Sequence, residues 1–215
     1  MERTLIITGI GKLSVNPDLV IIRFPLETQN FNYAIAVDDL NRLVNLLRDM
    51  IEPLGLDRKE LKTQDFRVVK DTKYNKTNGL YEFIGFTARH SLILEIPMDN
   101  SLTNKIITSI IKLDSRIEFK ISFGIKDKES CLQSLIENAI KNAKEKATII
   151  AKTSDVTLRE ILNINYSFSD ILFHSDTDLF YDSDCNSEVC EKSMPDINPS
   201  DIEMNENITI TWRIE

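Results

Sequence analysis

Three cysteines, six glycines, six prolines, two histidines and one tryptophan are all that this chain of 215 residues has of those types. An odd set of cysteines (Cys131, Cys185 and Cys190), without a secretory leader, argues against a disulfide framework. It reads as reduced thiols in a cytoplasmic chain. So little glycine and proline excludes collagen-like and low-complexity architectures. No stretch approaches the about 18 uncharged apolar residues that a membrane helix needs. Basic residues are outnumbered, 26 against 34, for a net charge of −8, which argues against nucleic acid as the main partner.

What is present is the mix of a globular protein, 42% hydrophobic and 28% charged. The length suits one ordinary domain or two small ones. Charge is uneven along the chain. Residues 167–206 hold eleven acidic side chains against Lys192 alone, a net −10, which leaves +2 for the rest.

Apolar periodicity sketches the elements. Thr4 to Ser14 and Leu19 to Thr28 read as strands about the turn Asn16-Pro17-Asp18, so the chain is expected to open with a hairpin. Tyr33, Val37, Leu40, Val44, Leu47, Ile51 and Leu54 form one helical stripe, capped by Asn30 or Asn32 and ended by Gly55. Leu61–Tyr74 and Leu80–Ile96 flank a polar hairpin loop at 75–79, and Pro97 stops the second of them. Asp99 or Asn100 caps a helix with Leu102, Ile106, Ile110 and Leu113 on its stripe. A strand from Arg116 to Lys126 has Ile117, Phe119, Ile121, Phe123 and Ile125 on one face. In a third helix, Lys128 to Thr153, Ala139, Ala143, Ala147 and Ala151 recur every four residues, a ridge that lets another element lie close. Leu158–Tyr166 and Ile202–Ile214 read as the last strands.

These elements predict an α+β fold of two packed α/β layers, with mostly antiparallel sheets and three main helices. A division near residues 75–80 gives a hairpin-helix-strand part, 1–78, and an α+β part, 79–215, with an acidic loop at 167–200. Residues 168–199, net −7, read as a solvated excursion that folding does not need.

Gly9-Ile10-Gly11-Lys12 suggests phosphate binding and fails both tests. A P-loop needs Gly at Ile6 and Ser or Thr at Leu13, while a dinucleotide fingerprint needs a third Gly at Ser14 and a helix directly after it. The glycines read instead as places where a neighbouring backbone comes close. Asp182-Ser183-Asp184-Cys185-Asn186 opens like a calcium loop, yet Ser187 and Ser193 stand where Gly and a bidentate Glu belong. Cys185, Cys190 and His174 lack the paired spacing of structural zinc. A nucleophilic triad or dyad would have to use His90 or His174, and neither has an accompanying signature.

Several ordered stretches together resemble the SIMPL-domain family, known mostly from bacterial envelope proteins and named after a eukaryotic kinase-associated signalling protein. They are Thr8-Gly9-Ile10-Gly11 with Pro17-Asp18, Lys62-Thr63-Gln64-Asp65-Phe66, Phe83-Ile84-Gly85-Phe86 into Ser91-Leu92, Ile121-Ser122-Phe123-Gly124-Ile125, the alanine helix through Lys146-Ala147, and Pro195 to Trp212. Ser200 after Pro199 departs from the family, which often has Gly there. The resemblance implies an α+β fold and a tendency to oligomerise, often in the envelope or periplasm, and supplies no catalytic residues or cofactor.

The expected function is therefore non-enzymatic, through self-assembly or a protein partner. The alternative is a metal-dependent or hydrolytic enzyme using His90, His174 or the Asp182–Cys190 loop. Assembly is expected through apolar edges at Leu5–Ile10 and Ile117–Ile125, where charged residues are sparse.

Overall fold

The apolar stripes become buried faces. In α1, Tyr33–Ile51, the residues Leu40, Leu43, Val44, Leu47 and Ile51 are buried, and Asn32 caps the helix by accepting from the Ala34 N–H at 2.9 Å. In α2, Asn100–Leu113, Ile106, Ile107 and Ile110 go inward, and the Asp99 carboxylate accepts from the Ser101 and Leu102 N–H groups. In α3, Lys128–Thr153, Asp127 caps the start, and Ala139, Ala143, Ala147 and Ala151 are all buried. The strands are β1 Thr4–Val15, β2 Leu19–Asn30, β3 Leu61–Asn75, β4 Leu80–Pro97, β5 Phe119–Gly124, β6 Leu158–Tyr166, β7 His174–Tyr181 and β8 Ile202–Ile214. The computed structural model describes residues 3–113, 117–167, 171–181 and 197–215.

The α+β class is as expected, with three helices among the described residues and antiparallel ladders for β1–β8, β2–β4, β3–β4 and β6–β8. The chain forms two compact units. One comprises Met1–Pro17, Gly124–Asp176 and Pro199–Glu215; the other comprises Asp18–Phe123 and Thr177–Asn198. The break expected at 75–80 falls instead inside the second unit, at the tip of the β3–β4 hairpin. The polar loop there is a hairpin turn, and composition alone does not separate a turn from a linker.

The second unit is a sheet in the order β3-β4-β2-β5-β7. Val20, Ile22, Phe24 and Leu26 of β2 join Leu92, Leu94 and Ile96 of β4, Ile121 and Phe123 of β5, and the inner faces of α1 and α2 in one core. Burying each such side chain stabilises by about 1.5–3 kcal/mol. The first unit is a sheet in the order β1-β8-β6, with α3 packed over Ile208, Ile210 and Trp212 of β8.

Three pairing expectations change. The opening strands exist but are not a hairpin: β1 pairs with β8 (Gly9 opposite Ile208) and β2 with β4 (Phe24 opposite Leu92). Asn16-Pro17-Asp18 lacks the positive-φ residues of a tight two-residue hairpin. Asp18 instead extends the β2–β4 ladder, its carbonyl accepting from the Met98 N–H at 3.0 Å. The acidic excursion is not all loop. It contains β7 at one end of the five-stranded sheet, Leu179 packs against the large core and Ile197 is buried in it. Ile171 and Phe173 lie on a smaller cluster of Ile125, Cys131, Leu135, Ile202 and Met204. Finally, the strand containing Ile117–Ile125 is not an edge, because β5 runs between β2 and β7.

Candidate functional site

The Gly9-Ile10-Gly11 motif is a packing device. A Cβ at Gly9 would stand 2.0 Å from the Ala139 carbonyl oxygen and 2.7 Å from the Ala143 Cβ; at Gly11 it would stand 2.0 Å from the Leu135 carbonyl oxygen. Two residues of strand rise about 6.7 Å and four residues of helix about 6 Å, so alternate β1 positions meet successive turns of α3. The same spacing builds a polar clamp along β1. Asn142 Oδ1 accepts from the Ile10 N–H at 3.0 Å, while Asn138 Nδ2 donates to the Lys12 carbonyl and Lys146 Nζ to the Thr8 carbonyl, both at 3.2 Å. The Leu5–Ile10 edge on which assembly was expected to rest therefore carries a helix that takes up backbone groups at Thr8 and Ile10.

The two histidines lie in different settings. His90 is half-buried in β4, its Nε2 paired with Thr63 Oγ1 at 2.8 Å and its ring edge-to-face with Phe66 at 5.4 Å. Its Nδ1 is buried without a partner, and desolvation, then the nearby Arg48 charge, hold its pKa below the ordinary imidazole value. His174, exposed at the start of β7, lines a surface cleft of about 330 Å³ with Leu172, Ser200, Asp201 and Glu203. Near it Ser175 Oγ donates to the Ser200 carbonyl at 2.7 Å. Cys131 is a buried thiol on α3 that forms no disulfide. Asp182, Asp184, Cys185 and Cys190 lie outside the described residues. Among the described residues no three of His, Cys, Asp and Glu are placed to hold a metal ion, and no helix is long and apolar enough to cross a membrane.

Glu206, counted among the acidic side chains of residues 167–206, lies on the strand expected at Ile202–Ile214. It is 1% exposed on β8, opposite Gly11, and its carboxylate accepts from the Asn207 N–H at 2.9 Å. Desolvation, and then the Glu206 charge, raise the pKa of Tyr166 on the neighbouring β6.

The most unusual surface was legible only as a hairpin. The β2–β4 ladder ends at Asn30 opposite Phe86, whereas β3 and β4 stay paired out to Asn75 opposite Leu80. The hairpin thus runs on as a two-stranded arm for five more residues, about 17 Å. A bulge sits where it leaves the sheet. Gly85 there has φ +138°, and a Cβ on it would lie 3.1 Å from the Asn30 carbonyl oxygen. Beside the bulge, Asp71 accepts from the Thr87 hydroxyl and from Gln29 Nε2.

The arm has its own polar scaffold. At the tip Asn75 and Asn78 accept from the Thr77 and Leu80 N–H groups, and both side-chain amides donate to Glu82 at 2.7 and 2.9 Å. Those two bonds lower the Glu82 pKa and keep it ionised. One face carries a chain of aromatic rings. Tyr33 meets Phe86 at 5.8 Å, Phe86 meets Phe83 at 5.1 Å, Phe83 meets Phe31 at 6.2 Å, and Tyr81 meets Tyr74 at 5.2 Å near the tip. Lys70 lies over the Phe83 ring. Phe31 and Tyr81 are 72% and 73% exposed, so the chain of rings faces solvent.

A scan of protein-family models matches residues 5–212 to SIMPL, described as a protein of unknown function (DUF541). No curated protein matches the chain.

Proposed function

The chain belongs to the SIMPL family, and we propose that it acts without catalysis, through contacts with further copies of itself or with a protein partner, self-assembly standing first. The observation that carries this reading is the quantity of large apolar side chain left in solvent on two ordered elements. On the arm these are chiefly Tyr74, Leu80, Tyr81 and Phe83; on β6, one of the two outer strands of the three-stranded sheet, they are Ile161, Leu162, Ile164 and Tyr166. Scattered exposed apolar residues need no explanation, but contiguous ones on projecting or outer strands are what binding surfaces have. Of the groups described above, His90 is paired with Thr63 and Ser175 with Ser200.

Light scattering at two concentrations tests the reading. A mass above the 24.7 kDa of one chain, rising with concentration, is expected. One-chain mass at both concentrations removes self-assembly. Stoichiometric metal on the purified chain, lost when His174, Cys185 and Cys190 are replaced together, would overturn the non-enzymatic reading altogether.

A further inference from the structure

We propose that the aromatic face of the β3–β4 arm docks on the same face of a second copy of this chain, a two-fold arm-to-arm contact. The proposal rests on the self-assembly reading and names its surface. By register, Tyr74 and Tyr81 are opposite, Thr72 and Phe83 are opposite, and alternation puts all four on one face, which the ring contacts continue from Phe83 to Phe31 and through Phe86 to Tyr33.

Area and charge both point to a second copy as the occupant. At 150–250 Å² per aromatic side chain, the exposed parts of Phe31, Tyr33, Tyr74, Tyr81 and Phe83 come to about 600 Å². That is the upper end of what a monomer's largest apolar patch reaches, about 300–600 Å². Two such faces together come to about 1,200 Å², the lower end of what a specific interface buries. Residues 70–86 hold three lysines against Asp71 and Glu82, a net +1, while the whole chain carries −8. The acidity of each copy is concentrated in residues 167–206, net −10, and the near-neutral arms carry none of it, so contact through them sets little like charge face to face.

The face is also built to be held still. The bonds of Asn75, Asn78 and Glu82 at the tip, and of Asp71 at the base, fix the ribbon, so little ordering is left for association to impose. A lone two-stranded ribbon is marginal in water. Facing a second ribbon across its rings relieves that, and a two-fold arrangement lets one self-complementary face serve both copies.

The test uses the full chain and two charge-bearing pairs at its most exposed rings, Phe31→Lys with Tyr81→Lys, and Phe31→Glu with Tyr81→Glu. Both positions are open to solvent, so each variant is expected to keep the wild-type circular dichroism and melting. Sedimentation should show wild type as a dimer or larger. Each variant alone should show a dissociation constant raised by roughly a hundredfold or more, and an equal mixture should recover a two-chain species because opposite charges now face each other. If wild type associates and the lysine variant associates as tightly, the arm is not the contact, and the self-assembly reading survives. The arm is excluded in the same way if Ile164→Lys on β6, rather than the arm pairs, abolishes association. If wild type has the mass of one chain throughout, both readings fall. If that monomer floats with phosphatidylglycerol vesicles through its arm, the occupant is a lipid surface, and the proposal is overturned.

Discussion

Replacing Gly9 by alanine puts one methyl group where α3 already lies. The new carbon would stand 2.0 Å from the Ala139 carbonyl oxygen and 2.7 Å from the Ala143 Cβ, where favourable heavy-atom separation is about 3.5 Å. The oxygen belongs to the helix backbone, so no rotamer change relieves the contact. Either α3 retreats by about 1.5 Å or β1 bows away, and a gap of 0.5–1 Å already forfeits about a quarter to a half of each contact along the seam. Retreat also stretches the bonds of Asn138, Asn142 and Lys146 to β1, each worth about 1 kcal/mol. It further loosens α3 from Ile208, Ile210 and Trp212. Overpacking alone costs about 1–3 kcal/mol, so with the clamp the expected destabilisation is about 4 kcal/mol, a large share of the about 5–15 kcal/mol that holds a domain folded.

Urea unfolding followed by tryptophan fluorescence suits the measurement, since Trp212, the only tryptophan, is buried against α3. Gly79→Ala, at a positive φ but with nothing nearer to the new Cβ than the Tyr74 hydroxyl at 3.8 Å, is the control and should cost about 1 kcal/mol. A double variant, Gly9→Ala with Ala143→Gly, relieves the contact with the Cβ but not the one with the carbonyl oxygen. It should recover little, because glycine inside a helix itself costs about 1 kcal/mol. A Gly9→Ala loss below about 1 kcal/mol, or full recovery in the double variant, would refute the claim that helix backbone sets the limit.

Three further outcomes follow from the packing. Ala143→Leu or Ala147→Leu should cost about 1–3 kcal/mol, since both positions are buried on the sheet side of α3; an unchanged urea midpoint would mean that this face is slack. Replacing residues 168–199 with a short Gly/Ser turn should destabilise by about 3–5 kcal/mol, because β7, Leu179 and Ile197 leave the core; a wild-type midpoint would restore the reading of that segment as dispensable. His90 has a lowered pKa when folded, so between that value and its ordinary 6.5 the unfolded chain binds more protons. Stability should then fall as pH drops from about 7 through that window, His90→Gln should flatten the fall, and parallel melting curves for the two proteins between pH 7.5 and 5.5 would refute it.

The elements were legible because each has a period. Leu40, Val44, Leu47 and Ile51 recur at helical spacing and are buried along α1, and Ile208, Ile210 and Trp212 alternate and are buried along β8. Pairing was not legible. A pattern of alternation tells a strand which face to bury and says nothing of which strand lies beside it. That is why β1, read as the partner of the strand four residues on, pairs with one nearly 200 residues away. Charge misled in a similar way, since an acidic run was read as solvated although Ile171, Phe173, Leu179 and Ile197 within it have apolar surfaces to cover. The arm carried a signal in strand length. β4 has 18 residues and β2 only 12, so six residues of β4 could have only β3 beside them.

The interrupted course of the first unit gives the glycine seam a role beyond packing. β1 is made first, but α3 arrives only after the whole of Asp18–Phe123, and β8 only at the end of the chain. Contacts so distant in sequence close late and slowly, leaving β1 meanwhile as an apolar strand with two open edges. What later secures it must therefore be specific rather than merely hydrophobic. Glycines at alternate strand positions accept only a partner with backbone exposed every four residues, and α3 offers that at Leu135 and Ala139. Side chains on the adjoining row, Asn138, Asn142 and Lys146, then take up backbone groups of β1 at matching intervals. A foreign strand could pair with that edge, but it could not fill the groove over Gly9 and Gly11. Helix and strand thus recognise each other by spacing. The cost is that these two glycines are the positions at which β1 tolerates least change, and the arm, made of local contacts within one hairpin, is left free to carry surface that folding does not require.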